Sequence, residues 1–227
     1  MGIQKRKYNL DFFKKDSEEL YYFLGFIASD GYVNDGCISL TLNIKDEDMV
    51  KQLKDLTCPN APLKYHPKTN SVGFSLYLSE IALKIKRYFR MNSNKKSFEL
   101  NFPNIPQEYI KDFIRGYIDG DGCIDTTKGY KKNKIYIGPR LRILGNYDFL
   151  YELNLATKEF IDHKTDSITK KGRENVYYLT YNFSTADKLL TWLYKDANIY
   201  LKRKYDKAIA LVGYRKTLDR TTLKEIA

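Results

Sequence analysis

Two stretches of this chain repeat one sequence pattern, and the repeat restricts the fold more than any other feature. Residues 22–33 are YFLGFIASDGYV, and residues 113–124 are FIRGYIDGDGCI. Such a repeat predicts two similar half-domains in one chain, each of which supplies one carboxylate. Aligned without gaps, the copies share Gly25/Gly116, Ile27/Ile118, Asp30/Asp121 and Gly31/Gly122.

The size and composition of the chain exclude several classes of protein. With 227 residues, 43% of them hydrophobic, it can form one large domain or two small ones. It has no apolar run long enough to span a membrane, and no signal-like apolar stretch follows its basic N-terminus. Cys37, Cys58 and Cys123 suit neither a disulfide framework nor a zinc site. These features predict an intracellular protein, in the cytoplasm, nucleoid or an organelle matrix, that is not secreted.

The charge of the chain indicates the kind of partner. The formal net charge is +11 at pH 7, which favours DNA, RNA or an anionic membrane. The chain also has 20 tyrosines, whose hydroxyl groups can contact phosphates or base edges. With two histidines in all, a His-rich zinc site is not expected.

The first half begins with a basic, aperiodic stretch, residues 1–15, which we predict to be an arm. Asp16 and Glu19 have the spacing of a capping box, and apolar residues then recur at helical spacing as far as Ile27. This helix should end at Asp30–Gly31, with Gly31 as its C-terminal cap. The rest of the pattern predicts a strand over 37–44, a helix over 46–56, a hairpin of 62–66 with 72–78, and a helix over 79–89.

The second half repeats this order. A helix beginning at Pro106 should end at Asp121–Gly122, followed by strands over 134–143 and 176–183 and helical stretches over 147–160 and 185–211. Both halves therefore predict an α+β fold. The predicted boundaries are an arm (1–15), a first half (16–98), a proline-containing linker (99–106), a second half (107–213) and a polar, only partly ordered tail (214–227).

The repeated motif predicts a metal site. Gly25 and Ser29 lie on one helix face, as do Gly116 and Gly120, so the two helices can approach closely. Their ends then bring Asp30 and Asp121 together, where carboxylates at helix C-termini repel each other. A divalent cation removes this conflict and can also bind the carbonyls of Ser29 and Gly120. Oxygen ligands favour Mg²⁺ over zinc, and such an ion can bind a phosphate and activate water.

The alternative interpretation is that Asp-Gly after a helix is ordinary turn chemistry. That interpretation suffices for a single copy. Two matched copies, each after a helix with small residues four apart, favour the metal site.

These residues carry a family resemblance. The stretches FLGFIASDG (23–31) and IRGYIDGDG (114–122) resemble the two motifs of the single-chain LAGLIDADG homing endonucleases, and the similarity covers roughly residues 17–210. In that family the last acid of each motif binds metal, which corresponds to Asp30 and Asp121. The first motif departs from the family pattern because Ala28 replaces the earlier acid and Ser29 a smaller residue. The earlier acid is not the usual metal ligand, so this departure does not remove the expected activity.

The resemblance implies a fold, a cofactor and a partner. The fold would consist of two pseudo-symmetric αββαββα half-domains whose two four-stranded sheets form a saddle over DNA. The partner would be double-stranded DNA of roughly two helical turns of about 10 bp each, bound by a monomer. The cofactor would be Mg²⁺, with Mn²⁺ able to substitute and Ca²⁺ expected to bind without supporting cleavage.

The family also places a basic residue near the scissile phosphate in each half. By resemblance, Lys96 is the candidate in the first half, and Lys202 and Lys204 are the candidates in the second. A lysine there could stabilise charge on phosphorus or polarise the attacking water. Plain phosphate binding or a solvated helix end remains the alternative for each lysine.

Polar faces of the predicted strands are the candidate DNA-contacting surface. In strand 134–143 the basic and aromatic residues alternate with apolar ones, although Gly138-Pro139 predicts a bulge or bend. An ordinary amphipathic strand with a solvated face is the alternative. The candidates are Ser39, Thr41, Asn43, Lys64, His66, Lys68, Ser75 and Tyr77 in the first half, and Lys134, Tyr136, Arg140, Arg142, Lys170, Lys171, Arg173, Tyr177 and Tyr181 in the second.

Three functions are therefore open. The first is a site-specific, metal-dependent endonuclease that cuts both DNA strands. The second is a non-cleaving binder, such as an intron RNA maturase or a DNA-binding regulator, and the two roles can coexist. The third is a basic structural module, for which binding to DNA or RNA should be absent even at low salt. The host element, whether an intron, an intein or a free-standing gene, is also open.

Overall fold

The structure is a computed structural model that describes residues 5–91, 100–164, 167–172 and 175–219. By its internal contacts the chain divides into two compact units, residues 1–121 with 199–201 and residues 122–198 with 202–227. No helix within the described ranges is long and apolar enough to cross a membrane.

The first unit combines an antiparallel sheet with helices. The sheet has the strand order β1-β2-β4-β3, and α2 packs against β2 and β4. The described helices are α1 (Glu18–Ser29), α2 (Glu47–Thr57), α3 (Ser79–Tyr88) and α4 (Ile110–Asp121), and the strands are β1 (Gly31–Val33), β2 (Ile38–Asn43), β3 (Lys64–His66) and β4 (Ser71–Leu76).

Helix α1 differs at both ends from the sequence prediction. Its N-cap is Ser17, whose side chain accepts a hydrogen bond from the backbone N–H of Leu20, so Asp16 lies outside the helix. At the other end Asp30 is the cap residue and Gly31 already begins β1, without the left-handed backbone of a glycine cap. Gly31 is needed for space, because a Cβ there would lie 2.6 Å from the Cα of Ile27.

The strands of the first sheet have one buried and one open face. Ile38, Leu40 and Leu42 of β2 are buried, as are Val72, Phe74 and Leu76 of β4. Because side chains alternate along a strand, the residues between them point to the opposite face. The sheet thus separates a core from a polar surface.

The second unit contains a larger antiparallel sheet. The order is β5-β6-β8-β7, and β9 pairs with the first part of β6, so the sheet has five strands rather than the expected four. Helices α5 and α6 pack against β6 and β8. The elements are β5 (Gly122–Lys131), β6 (Lys134–Gly145), α5 (Tyr147–Lys158), β7 (Ile168–Lys170), β8 (Tyr177–Asn182), α6 (Phe183–Tyr194), α7 (Lys202–Leu211) and β9 (Lys216–Asp219).

The described elements follow the order αββαββα twice, and this confirms the α+β prediction. The second copy continues into α7 and β9. The helical stretch predicted over 185–211 is two helices, α6 and α7, separated by residues 195–201.

A bulge or bend was predicted at Gly138-Pro139, and strand β6 contains no bulge there, so that part of the prediction is wrong. Its pairing with β5 continues in one register from Gly122↔Ile143 to Lys131↔Lys134. The small residue is required by packing, because a Cβ on Gly138 would lie 2.7 Å from Cδ1 of Phe183. Phe183 also lies against Gly129 of β5, so its ring occupies the space that both glycines leave.

Candidate metal centre and nucleic-acid interface

Helices α1 and α4 contact each other through their backbones. A Cβ on Gly25 would lie 2.0 Å from the carbonyl oxygen of Phe113, and a Cβ on Gly116 would lie 2.1 Å from that of Tyr22. No side chain fits at either position. The small residues of the repeated motif therefore allow the close helix contact predicted from their spacing.

The C-terminal ends of the two helices also meet. A Cβ on Gly120 would lie 1.9 Å from Oγ of Ser29 and 3.2 Å from Oδ2 of Asp30. The carboxylate of Asp30 is thus beside Gly120, whose next residue is Asp121. Ser29 itself is turned inward, where its hydroxyl donates to the carbonyl of Phe26 at 2.9 Å.

The pKa of a buried tyrosine reflects the negative charge at the ends of these two helices. Tyr117 is 2% exposed, and burial raises the pKa of its hydroxyl well above the usual value. The negative charges of Asp121 and Asp30 raise that pKa further. Both carboxylates therefore act on one buried hydroxyl group, and the neutral form of Tyr117 is strongly favoured.

The residues at the helix ends fit a hard divalent cation. Asp30 is exposed and Asp121 is half-buried, so solvent and a phosphate can reach both. Across the described ranges no group of three or more His, Cys, Asp or Glu side chains is close enough to hold a metal. Two carboxylates alone would leave most positions of an ion to carbonyl, water or phosphate oxygens, as Mg²⁺ prefers.

Asp119 is a buried acid that the sequence analysis did not select. Its side chain is 0% exposed and accepts hydrogen bonds from the hydroxyl of Tyr22 at 2.8 Å and from the backbone N–H of Leu201 at 2.7 Å. The matching residue of the first repeat is Ala28. The second copy of the motif thus has an extra acid within a buried helix. Because a buried carboxylate must be hydrogen-bonded, this acid could have been predicted from the sequence to have partners.

The two candidate lysines of α7 have different surroundings. Lys202 is exposed and pairs with Asp206 one turn along the helix at 2.8 Å. Lys204 is 5% exposed, and its ammonium group donates to the carbonyl of Gly122 at 2.6 Å. The ammonium group of Lys204 is thus fixed at Gly122, the residue that follows Asp121 in the chain. Lys96 lies outside the described residues.

The candidates on the first sheet share its polar face. Pairing places Ser39 opposite Ser75, Thr41 opposite Gly73 and Lys64 opposite the same glycine, all away from the buried residues of β2 and β4. Asn43 and His66 flank Ser71 on this face, Tyr77 follows β4 on the same side, and Lys68 is exposed in the turn after β3. Asn43 also uses its side-chain oxygen to accept from the N–H of Lys45.

The N-terminal arm adds a residue to this face that sequence reasoning missed. The Arg6 guanidinium lies 4.7 Å from the ring centroid of Tyr77 and bonds to the carbonyl of Ser75. Lys64 Nζ lies 3.5 Å from the Tyr77 hydroxyl.

Asn60 fixes the arm through two hydrogen bonds. Its Nδ2 donates to the carbonyl of Lys5, and its Oδ1 accepts from the N–H of Lys7. The basic composition of residues 1–15 was the available signal.

The second sheet has a basic face interrupted by one acid. Lys134 and Tyr136 are exposed, and Arg140 and Arg142 are half-buried on the same side of β6. Asp125 of β5 lies between the two arginines, with Oδ1 2.7 Å from Arg140 Nε and Oδ2 3.1 Å from Arg142 Nη2. Burial alone would raise the pKa of Asp125, but the two guanidinium groups together lower it.

Three candidates on the second sheet point to the wrong face. Tyr181 is 0% exposed, and its hydroxyl donates to Oδ1 of Asn154 at 2.8 Å, so it belongs to the core. Tyr177 packs on the ring of Tyr147 from α5, and Lys170 pairs opposite Tyr177 on that same side. A tyrosine can be a core residue when its hydroxyl has a partner, which explains why tyrosine content alone misled the prediction.

The residue that replaces them on the polar face is Tyr178. Its ring lies 5.7 Å from the guanidinium of Arg142 and 5.2 Å from Nζ of Lys171. Lys171 thus lies on the predicted side. Arg173 lies outside the described residues.

Comparison with known proteins bears on this arrangement. The family model described as a LAGLIDADG-like domain matches residues 108–191. Residues 108–191 are thus similar to a LAGLIDADG-like domain. The match begins just before the second copy of the repeated motif, so the LAGLIDADG resemblance predicted from the sequence is confirmed.

Solved structures extend the similarity in fold to most of the chain. The meganuclease I-SmaMI, bound to uncleavable DNA, is 14% identical with a TM-score of 0.61, covering 84% of this chain and 88% of that one. The meganuclease I-AabMI, bound to uncleaved DNA, is 13% identical with a TM-score of 0.58, covering 85% and 90%. The homing endonuclease I-LtrWI, bound to target DNA, is 12% identical with a TM-score of 0.54, covering 86% and 89%. This chain has the LAGLIDADG homing endonuclease fold.

The curated relatives of this chain are much longer proteins. A probable translation initiation factor IF-2 of Methanocaldococcus jannaschii is 26% identical over 162 residues, 68% of this chain and 13% of that protein. A DNA polymerase of Thermococcus hydrothermalis is 28% identical over 118 residues, 49% of this chain and 7% of that protein. The chain thus matches only a small part of either relative.

Proposed function

We propose that this protein is a site-specific endonuclease that hydrolyses both strands of double-stranded DNA with a divalent metal ion. One observation carries the proposal: two aspartates of a repeated motif lie at the adjoining ends of α1 and α4. Each of two carboxylates so placed makes ionisation of the other less favourable, and a bound cation offsets this repulsion. A purely structural pair of helix ends would gain nothing from two acids.

The cation would be held by the carboxylates of Asp30 and Asp121, with the carbonyls of Ser29 and Gly120 as further oxygen donors. When bound, it supplies activation of water and stabilisation of the leaving oxygen of the phosphodiester. We propose Mg²⁺ as the ion, with Mn²⁺ able to substitute. I-SmaMI has been solved on its uncleaved target in the presence of calcium ions, which supports Ca²⁺ as a non-cleaving substitute.

The lysine assigned to catalysis in the second half is Lys204 rather than Lys202. Its ammonium group is fixed on the carbonyl of Gly122, whereas Lys202 is directed to Asp206 in solvent. A fixed cation needs no reorganisation when negative charge develops on a phosphate. Lys96 is the proposed counterpart in the first half.

The polar faces of the two sheets would bind the DNA and recognise its sequence. Each combines basic groups with tyrosine and hydroxyl side chains, the chemistry required for phosphates and base edges. The meganucleases I-AabMI and I-SmaMI, which share this fold, were solved bound to DNA, and this supports the assignment. The proposed partner is a duplex of roughly two turns, about 10 bp each, bound by a monomer inside the cell.

The curated relatives support a mobile origin. Segments similar to this chain occur in a probable translation initiation factor and in DNA polymerases, which are different kinds of protein. A module that occurs in such different proteins suits an element that moves between genes, as an intron or intein does. Intron RNA is then a second possible partner.

The test is cleavage of a randomised duplex library with Mg²⁺, with Ca²⁺ in a parallel reaction. Asp30→Asn and Asp121→Asn should each abolish cutting and preserve binding. Glu159→Gln, which removes one negative charge at the exposed end of α5, is the matched control and should cut normally. Selected binding without cutting in the wild type would refute the endonuclease and favour the maturase or regulator.

A further inference from the structure

One carboxylate on the basic face of the second sheet has no evident reason to be there. Asp125 of β5 is directly opposite Arg140 of β6 and accepts from its Nε and its Nη2, both at 2.7 Å. The same carboxylate accepts from Nη2 of Arg142 at 3.1 Å. An acid at this place weakens the attraction of the face for a polyanion.

Stability does not account for the cluster. The side chains of Asp125, Arg140 and Arg142 are 32%, 27% and 32% exposed, and ion pairs near the surface contribute little to folding. What the carboxylate does achieve is geometric. Its side-on pair with Arg140 is bidentate, the arrangement that fixes both the position and the plane of a guanidinium group.

Arg142 is held from several directions. Its guanidinium lies 5.7 Å from the ring centroid of Tyr178, and Nη2 is also 3.7 Å from the sulfur of Cys123. Its Nε is buried and has no hydrogen-bond partner in the described part of the chain. Two guanidinium groups also have more N–H donors than one carboxylate can accept. The arginines are thus fixed, and the N–H groups that neither bond to Asp125 nor are buried, as Arg142 Nε is, remain donors for a ligand.

We propose that Asp125 is a positioning residue that aims Arg140 and Arg142 at the acceptor atoms of guanine in the major groove. Arginine recognises O6 and N7 of guanine with a bidentate pair, and this contact discriminates only when the guanidinium plane is correctly set. Two arginines fixed by one carboxylate would read neighbouring base pairs. The inference rests on the proposed function, because it assumes that this face binds DNA.

The experiment measures affinity for the selected target, for targets with one base pair changed, and for random duplex, in Ca²⁺ so that no cutting occurs. Asp125→Asn should bind random duplex at least as tightly as the wild type, since one negative charge is gone. It should lose roughly tenfold in discrimination at base pairs of one half-site. Asp125→Glu, which keeps the charge but moves the carboxylate, should lose discrimination without the gain in random binding.

A double-variant cycle shows whether Asp125 acts through an arginine. In an Arg140→Gln background, Asp125→Asn should cause a much smaller further loss of discrimination than it causes alone. Glu159→Gln serves as the charge-matched control, and thermal unfolding verifies that each variant folds.

Three results would overturn the inference. If both Asp125 variants discriminate as the wild type does, the carboxylate positions nothing. If Asp125→Asn exchanges one preferred base pair for another, Asp125 reads a base itself. If the wild type selects no DNA target at all, the proposed function fails, and this failure is recognised because it precedes any difference between variants.

Discussion

Tyr22 of α1 donates its hydroxyl group to the buried carboxylate of Asp119 on α4, at 2.8 Å. The same carboxylate oxygen, Oδ2, also accepts from the N–H of Leu201 at 2.7 Å, and this bond fixes the residue immediately before α7. One side chain therefore ties two motif helices to the segment that leads to Lys202 and Lys204.

Removing this side chain should be costly. We expect Asp119→Ala to lower the free energy of unfolding by about 2–4 kcal/mol, since two buried donors lose their acceptor, and Tyr22→Phe to lower it by about 1 kcal/mol. Urea unfolding of both single variants and the double variant measures the coupling between them. Strictly additive losses would contradict a direct bond that matters in solution.

The backbone contact between α1 and α4 gives a second prediction. Gly116→Ala should destabilise the protein by about 3 kcal/mol or more, because the new methyl group would meet the carbonyl of Tyr22. The matched control is Gly36→Ala, where the nearest atom to the new Cβ is Ser79 Oγ at 3.7 Å. Thermal unfolding compares the two, and equal melting temperatures would show that the helices can separate at no cost.

Lys202 and Lys204 form a matched pair for a test of catalysis. We expect Lys204→Met to slow single-turnover cleavage by about 10²-fold or more with binding retained, because a fixed positive charge near the reacting phosphate is lost. Lys202→Met removes an exposed ion pair with Asp206 one helix turn away. It should change the free energy of unfolding by no more than about 0.5 kcal/mol and leave the cleavage rate nearly unchanged. The same loss of rate in both variants would refute the assignment of Lys204.

The lowered pKa of Asp125 predicts that the stability of the protein rises with pH in the acidic range. Burial opposes its ionisation, but Arg140 and Arg142 lower its pKa in the folded state. Its contribution is therefore present above the unfolded pKa of about 3.9 and is lost as pH falls through the folded pKa. The advantage of the wild type over Asp125→Asn, at most about 1 kcal/mol, should disappear in that range. Urea unfolding from pH 2 to about 6 measures it, and a constant difference would contradict the prediction.

Asp112 should show the opposite dependence. Burial raises the pKa of its carboxyl group, although Arg115 acts against burial from 2.8 Å. A raised pKa contributes stability that is present below the unfolded value, about 3.9, and lost as pH rises through the folded pKa. The wild type should therefore lose stability relative to Asp112→Asn on going from acid to neutral pH. Parallel profiles for the Asp112 and Asp125 variants would show that one shift has the wrong sign.

The helices were predictable because their apolar stripes and small residues follow one period. The same is true of the first sheet, where alternation alone placed Ser39, Thr41 and Ser75 on the polar face. In β8 alternation was also available, since Leu179 lies midway between Tyr177 and Tyr181, but the amphipathic nature of tyrosine concealed it. The side of such a residue depends on a distant partner, here Asn154, which no local pattern contains.

Other differences have the same origin in contacts between distant residues. Gly138 suggested a bulge, but the structure explains the glycine by the ring of Phe183, a residue distant in sequence that leaves no room for a side chain. Gly31 suggested a cap, and the cause is the proximity of Ile27 to the first residue of β1. Asp125 joins its arginines only once β5 and β6 pair, so its role could not be predicted from composition.

Strand β6 pairs with two different strands, β8 and β9, along the side opposite β5. Arg140–Gly145 pair with β8, whereas Lys134–Ile137 pair with β9. Without β9, the backbone N–H and C=O groups of those four residues would form an open sheet edge, which is a template for another extended chain. Strand β9 therefore closes this edge of β6 and becomes the edge itself, as a strand of only four residues that begins with a lysine, and a short, charged edge limits association with copies of the same chain.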